Sequence, residues 1–213
     1  MKNSINLINP PWKLTGSGSI FIYSLQREQR QAMLDNKYEV NGLTVLMLVR
    51  YESSPIGTYD ECLLIPGKIK QNGRSGYHIS HIHVSTAIST LNGKEHWGIP
   101  KVTSEFEWNI IDKGYSSSIM DNDHRFTHLK VTSHGLSIPI FTHWLPYRLL
   151  QSNNNSWCSI RPTASGTMKM AKLKGFESSM PGFEHLNGIR PALGIHIPSF
   201  HMTFPVGKWL DSH

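Results

Sequence analysis

Apolar residues along this chain recur mostly in the patterns typical of β-strands. The segment 102–111 alternates, with Val102, Phe106 and Trp108 on one face and polar residues between them, and a period of two predicts a half-buried strand. The run LTVLMLV at 43–49 is apolar without interruption, which predicts a strand buried on both faces. Serine, proline and glycine at 53–57 then end this strand.

The same patterns predict a mainly β (α+β) fold with one convincing helix at 26–36. A shorter helix at 87–98 would end at Gly98, and we expect Pro139 and Pro198 at sheet edges or bulges. Many short strands with one helix favour an antiparallel barrel or sandwich, and a closed barrel would leave an interior pocket. The strands are expected at 19–25, 43–53, 58–69, 77–86, 102–111, 125–132, 136–144, 156–175 and 192–204.

Length and composition indicate a single domain spanning residues 1–213. The apolar fraction of 38% and the charged fraction of 17% are ordinary for a globular protein. The net charge of +6 raises the question of a nucleic-acid partner, but the lysines and arginines are scattered and form no basic run. We therefore expect no nucleic acid, and a charge that either attracts small carboxylates or only keeps the protein in solution.

Cysteine use and the N-terminal stretch point to the cytoplasm. Cys62 and Cys158 lie far apart without a metal or redox spacing, so both are expected to be free thiols in a reducing compartment. The first residues carry no apolar signal segment, and the longest apolar run is too short to cross a bilayer. The prediction is a cytoplasmic protein that does not contact a membrane.

Lys101 stands in an unusual setting, in the segment HWGIPKV. Its chain neighbours include Trp97, Ile99 and Val102, and Pro100 stiffens the backbone that delivers the lysine. A lysine is normally solvated, so an exposed surface charge is the simplest interpretation. An apolar pocket would instead favour the neutral form of an amine, and a neutral amine can attack a carbonyl to form a Schiff base.

A second candidate cluster lies in the segment GTYDE at 57–61. On a strand, Tyr59 and Glu61 share one face and Asp60 takes the other. A phenol and a carboxylate that face inward would suit acid–base work on a bound imine. The alternative is that Glu61 is an ordinary exposed residue of a strand.

Together, GTYDE and NGKEHWGIPK resemble the acetoacetate decarboxylase family, whose members carry G-x-Y-x-E and, later, G-[RK]-E-x-x-x-x-P-K. The resemblance spans residues 57–101 and places Lys101 at the Schiff-base lysine and Glu61 at the active-site glutamate. It implies a cone-shaped antiparallel β-barrel around a hydrophobic central pocket, a homo-oligomer, and no cofactor. The implied enzyme is a carbon–carbon lyase that decarboxylates a β-keto acid through an imine on Lys101.

The chain also departs from the family pattern. The decarboxylase has a second lysine where this chain has Val102 and a second glutamate where it has Leu46, and the N-terminal stretch offers no matching arginine. Imine chemistry without decarboxylation, of an aldolase, dehydratase or condensing type, therefore stays open, as does a non-catalytic barrel that binds an apolar small molecule. We expect a substrate pocket for a small keto acid or other carbonyl compound, lined by Tyr59, Leu46, His83, Trp97 and Val102.

The histidines offer a different hypothesis. His81 and His83 lie two residues apart on one strand face, and His196 or His201 would have to supply a third metal ligand. The acidic residues show no companion spacing, so we predict no metal site. His83 is instead expected to line the pocket.

Overall fold

The computed structural model describes residues 6–71, 73–141, 147–153 and 156–210. Two α-helices, α1 (Arg27–Ala32) and α2 (Ala87–Trp97), accompany the strands, together with a 3-10 turn at Phe183–Leu186. The strands are β1 (Trp12–Tyr23), β2 (Val40–Asn41), β3 (Thr44–Ser53), β4 (Tyr59–Ile65), β5 (Gly67–Gln71), β6 (Arg74–His78), β7 (His81–Val84), β8 (Lys101–Thr103), β9 (Glu105–Ile111), β10 (Gly114–Met120), β11 (Phe126–Phe141), β12 (Leu149–Asn153), β13 (Ser156–Ile160), β14 (Thr163–Ser178), β15 (Leu193–Phe204) and β16 (Lys208–Leu210).

The strands form two sheets. The larger has ten strands in the order β8-β7-β4-β3-β1-β15-β14-β11-β10-β9 and curls into a nearly closed barrel. The smaller has the order β16-β13-β12-β6-β5-β2. Neighbouring strands are antiparallel except at β7–β8 and at β12–β6. The prediction of a mainly β fold with an antiparallel barrel is confirmed.

The strands are more numerous and divided differently than the sequence pattern predicts. The segment 58–69 breaks at Pro66 into β4 and β5, whereas the two strands expected at 125–132 and 136–144 are joined in β11 as far as Phe141. Residues 142–144 of that prediction lie outside the described part of the chain. Pro198 falls, as predicted, where the registers of β15 with β1 and β14 shift.

Strand β3 is buried on both faces, as the apolar run predicts. Leu46 and Leu48 pack into one core, and Val49 and Tyr51 pack into another. The Leu46 core also contains Phe21, Tyr23, Cys62, Leu64, Leu129 and Phe183. The Tyr51 core lies between the opposite face of the large sheet, α2 and the small sheet, and also contains Trp12, Tyr59, Ile82, Trp97, Leu149 and Phe200.

Helix α2 connects two parallel strands at the edge of the large sheet. The Thr86 side chain accepts a hydrogen bond from the Ser89 amide (3.4 Å) at the start of the helix. Gly98 closes the helix in the left-handed conformation, with φ +65°. Its predicted role is confirmed, and the chain then turns directly into β8, whose first residue is Lys101. The predicted helix at 26–36 is present but shorter, as α1.

Among the described residues, no helix has the length and apolar character needed to cross a membrane.

Candidate active site

Lys101 and Glu61 form a buried ion pair. The Lys101 Nζ donates to Glu61 Oε2 (2.9 Å) and to Ser89 Oγ (3.0 Å), and the two charged residues are 4% and 5% exposed. Removing two such charges from water is unfavourable unless they are paired and hydrogen-bonded. Because this arrangement adds little net stability, its presence in the core points to a chemical role.

Sheet register explains why these two side chains meet. Glu61 pairs with Val84 across β4 and β7, while Lys101 pairs with Ile82 across β7 and β8. Paired residues and those two positions apart share a face of the sheet. The amine and the carboxylate therefore reach the same face from either side of β7, and that face belongs to the Tyr51 core.

Two stacked tyrosines, Tyr51 and Tyr59, lie beside the Glu61 carboxylate. The Tyr51 hydroxyl donates to Glu61 Oε1 (3.3 Å), and the Tyr51 ring stacks on Tyr59 with centroids 4.4 Å apart. The Lys101 Nζ lies 5.2 Å from the centre of the Tyr59 ring. Burial, and then the negative charge of Glu61, raise the pKa of both phenols well above the usual value of 10. Both hydroxyls therefore stay protonated and uncharged.

Helix α2 supplies the third wall of the site. Ser89 is fully buried, and Gly93 follows one turn later on the same face of the helix. A Cβ at Gly93 would lie 2.5 Å from Cδ of Lys101 and 2.9 Å from its Cε. Glycine inside a helix is less stable than alanine by about 1 kcal/mol. The helix therefore accepts this cost and leaves room for the lysine side chain.

Of the five residues predicted to line a pocket, two belong to the same core as Lys101. Tyr59 contacts the amine, as described above. Trp97 ends α2, donates from Nε1 to the Pro205 carbonyl (2.8 Å), and packs edge-on against Trp12 with centroids 5.0 Å apart. Trp97 thus fixes the end of the helix that carries Ser89 and Gly93.

The structure does not bring Leu46, His83 and Val102 to Lys101. Because Val49 is the partner of Glu61, the residues of β3 that share its face are odd-numbered, and Leu46 points into the opposite core. His83 pairs with Val102, and both point away from Lys101 because side chains alternate along β7 and β8. Val102 is 44% exposed.

The histidines are tied to serines rather than grouped around a common point. His83 Nδ1 lies 2.8 Å from Ser104 Oγ, His81 Nδ1 lies 2.9 Å from Ser80 Oγ, and His196 Nδ1 lies 3.1 Å from Ser19 Oγ. Within the described ranges, no three His, Cys, Asp or Glu side chains are arranged to hold a metal ion. Burial lowers the pKa of His83 to about 4, so its imidazole is neutral near pH 7.

Three residues of the site escaped the sequence analysis: Tyr51, Ser89 and Gly93. Ser89 and Gly93 carried a usable signal, since they lie four apart in the predicted helix and therefore on one face, next to the lysine in sequence. Tyr51 carried none, because its contact with Glu61 depends on the pairing of β3 with β4.

A β-barrel with a buried lysine–carboxylate pair defines a class of proteins suited to amine–carbonyl chemistry. Within this class, residues 2–142 match the acetoacetate decarboxylase (ADC) family, and the chain belongs to this family. The recognition made from GTYDE and NGKEHWGIPK is thereby confirmed.

Solved structures share the fold over nearly the whole chain. Acetoacetate decarboxylase from Legionella pneumophila subsp. pneumophila str. Philadelphia 1 superposes with a TM-score of 0.70 at 13% identity, covering 96% of this chain and 88% of that one. The enduracididine biosynthesis enzyme MppR complexed with pyruvate superposes with a TM-score of 0.65 at 14% identity, covering 99% and 94%.

A curated relative extends the similarity to plants. Protein NEOXANTHIN-DEFICIENT 1 of Arabidopsis thaliana is 26% identical over 106 residues, which is 47% of this chain and 38% of that protein. This chain therefore matches well under half the length of that relative.

We predict that Gly93→Ala displaces Lys101 without unfolding the protein. The added methyl group occupies the space of Cδ and Cε, so the amine leaves Glu61 and Ser89, while alanine itself favours the helix. Reductive trapping of a carbonyl compound at Lys101 should fall at least about tenfold, and the melting temperature should fall as well, because Glu61 is left buried without its partner. Lys94→Ala, an exposed change on the same helix, should leave trapping unaffected. Undiminished trapping in Gly93→Ala would contradict this role.

The buried His83 predicts a specific acid sensitivity. Its pKa is about 4 when folded and near 6.5 when unfolded, so the unfolded chain binds an extra proton between these values. The stabilisation is complete above pH 6.5 and is lost as the pH falls towards 4. The free energy of unfolding should therefore drop by up to about 3 kcal/mol more in the wild type than in His83→Gln over this window.

Urea denaturation at pH 7 and at pH 4.5 measures this difference. His134→Gln, at an exposed position, is the matched control and should follow the wild type. Equal pH dependence of wild type and His83→Gln would exclude His83 as the source, and leave buried His78 and half-buried His81 and His196, whose pKa values burial also lowers.

Proposed function

We propose that this protein is an enzyme whose Lys101 amine condenses with a small carbonyl compound to form a Schiff base. The observation that carries the proposal is the buried contact of Lys101 Nζ with Glu61 Oε2 and Ser89 Oγ. Family membership adds support, as does the MppR structure, which has the same fold and is complexed with pyruvate, a small carbonyl compound.

Glu61 is the acid–base group in this reaction. Its carboxylate takes a proton from the ammonium of Lys101, and the neutral amine then attacks the carbonyl carbon. A carbon–nitrogen double bond replaces the carbon–oxygen double bond, and the oxygen departs as water with one proton from the amine and the proton that Glu61 took up, so that the nitrogen keeps one proton as an iminium. Glu61 returns its proton to the departing hydroxyl, and the Tyr51 hydroxyl keeps Oε1 occupied so that Oε2 faces the amine.

The protonated imine is an electron sink for a second step. A β-keto acid would lose its carboxylate as CO₂ to give an enamine, which is the decarboxylation that the family name suggests. A carbonyl compound without that carboxylate would instead lose an α-proton to Glu61, and the enamine would go on to an aldol-type, dehydration or condensation reaction. Both routes begin with the same imine at Lys101, and hydrolysis of the imine ends both.

Some expectations from the sequence concern the assembly and location of the protein and two of its arginines. A homo-oligomer and a cytoplasmic location, both expected from the sequence, remain proposals, and light scattering of the purified protein would measure the first. Of the two arginines in sparsely charged surroundings, Arg161 is exposed, and Arg148 is half-buried next to Tyr147, which packs against the Tyr51 core.

We predict that a carbonyl compound plus cyanoborohydride labels Lys101 and that Lys101→Arg abolishes the label. Arginine keeps the positive charge beside Glu61, so the change removes the nucleophile while preserving the ion pair. Mass spectrometry of the peptide that contains Lys101 is the measurement, with a panel of small aldehydes, ketones and keto acids. Glu61→Gln should slow labelling by about a hundredfold, within the range for loss of a general acid–base group.

If the protein is a non-catalytic barrel, the opposite labelling result is expected. It would bind an apolar ligand equally well after Lys101→Arg and would form no adduct with any member of the panel. Release of CO₂ from β-keto acids by the wild type, absent in Lys101→Arg, would identify decarboxylation among the imine reactions.

A further inference from the structure

The charge balance around Lys101 restricts the substrate. Among the described residues, the buried lysine, arginine, aspartate and glutamate side chains are Lys101, Glu61 and Asp121. Asp121 is paired elsewhere, with Arg125 Nε at 2.8 Å and with two backbone amides at its other oxygen. Among the buried side chains of the described residues, the ion pair of Lys101 with Glu61 is therefore balanced one to one, and no further buried cation accompanies it.

The groups around this pair are apolar or neutral. Val49 is the strand partner of Glu61, and Phe200 packs edge-on against Tyr51 with centroids 5.8 Å apart. The polar groups that reach the pair are the buried Ser89 hydroxyl and the phenols of Tyr51 and Tyr59, whose raised pKa values keep them uncharged. Half-buried Tyr147 is also close enough for Glu61 to raise its pKa, although burial is the larger cause.

An arginine beside the site in sequence makes its contacts on the other face of the sheet. Arg50 lies next to Tyr51 in β3, and both line an open depression of about 530 Å³. Its side chain points the opposite way from Tyr51, with Nε 3.8 Å from Asp60 Oδ1 and the guanidinium 5.3 Å from the centre of the Trp108 ring. Lys2 is the only lysine or arginine outside the described ranges.

Imine formation does not change the charge balance between Lys101 and Glu61. The ammonium of Lys101 is replaced by an iminium of the same charge, so Glu61 remains neutralised. A carboxylate on the substrate would then be a second negative charge in a core shielded from water, repelled by Glu61 and without a partner. A charge in that position is strongly disfavoured.

We infer that the substrate which Lys101 binds is a neutral carbonyl compound, an aldehyde or ketone that carries no carboxylate near the reacting carbon. This inference rests on the proposed Schiff-base function and goes further, because it favours the route through loss of an α-proton over decarboxylation. The aromatic side chains of the Tyr51 core suit such a substrate, since they contact apolar groups without requiring charge.

A matched pair of ketones tests the inference. Levulinate (4-oxopentanoate) and its methyl ester present the same ketone and differ in the group two methylenes away, which is a carboxylate in the acid and an uncharged ester with one added methyl in the other, and neither can lose CO₂ as a β-keto acid does. Each is incubated with the intact protein and cyanoborohydride, and the adduct on the Lys101 peptide is measured relative to that on the exposed Lys94 in the same digest. The ratio to Lys94 corrects for the intrinsic reactivity of the two ketones.

We expect the ester to label Lys101 at least about tenfold more than the acid, which corresponds to roughly 1.4 kcal/mol. Equal labelling, or more labelling by the acid, would overturn the neutral-carbonyl inference and leave the Schiff-base function standing. No adduct at Lys101 with either ketone, while Lys94 is labelled by both, would overturn the Schiff-base function and the inference with it.

Discussion

The ion pair between Lys101 and Glu61 is the constraint on which the rest of the site depends. Two opposite charges in a core are tolerated only when each is held by the other and by further hydrogen bonds. Ser89 provides one of those bonds and Tyr51 another, so helix α2 and the strands β3, β4 and β8 are fixed relative to one another by polar contacts. An apolar core alone would hold them with less precise spacing.

This requirement explains features that would otherwise look unfavourable. Gly93 lowers the stability of α2, yet alanine there would occupy the space of the lysine side chain. Tyr51 lies where an aliphatic residue would pack as well, and its hydroxyl donates to Oε1 of Glu61. Tyr59 stacks on the Tyr51 ring. In the described part of the chain no further buried cation accompanies the pair, and the inferred preference for neutral substrates follows from this balance.

Much of the fold and the Lys101–Glu61 pair could be predicted from the sequence, whereas contacts that depend on strand register could not. The mainly β barrel, the helix closed by Gly98 and the pairing of Lys101 with Glu61 followed from local patterns and from the family motifs. Leu46 and Val102 were assigned to the pocket by counting residues along the motifs, without the strand register that turns them away. Tyr51 became visible only once β3 was paired with β4, a contact between strands that local pattern does not encode.

The β7–α2–β8 connection has a consequence for how the site is assembled. Lys101, its partner Ser89 and Gly93, which makes room for the lysine, all lie within residues 81–103, so their mutual arrangement needs only short-range chain closure. Glu61 belongs to β4, and it contacts Lys101 only when β7 pairs with that strand. In a chain that lacks this docking, Lys101 has neither its contact with Glu61 nor the burial that it has in the folded protein, so the site is completed only with the edge of the sheet.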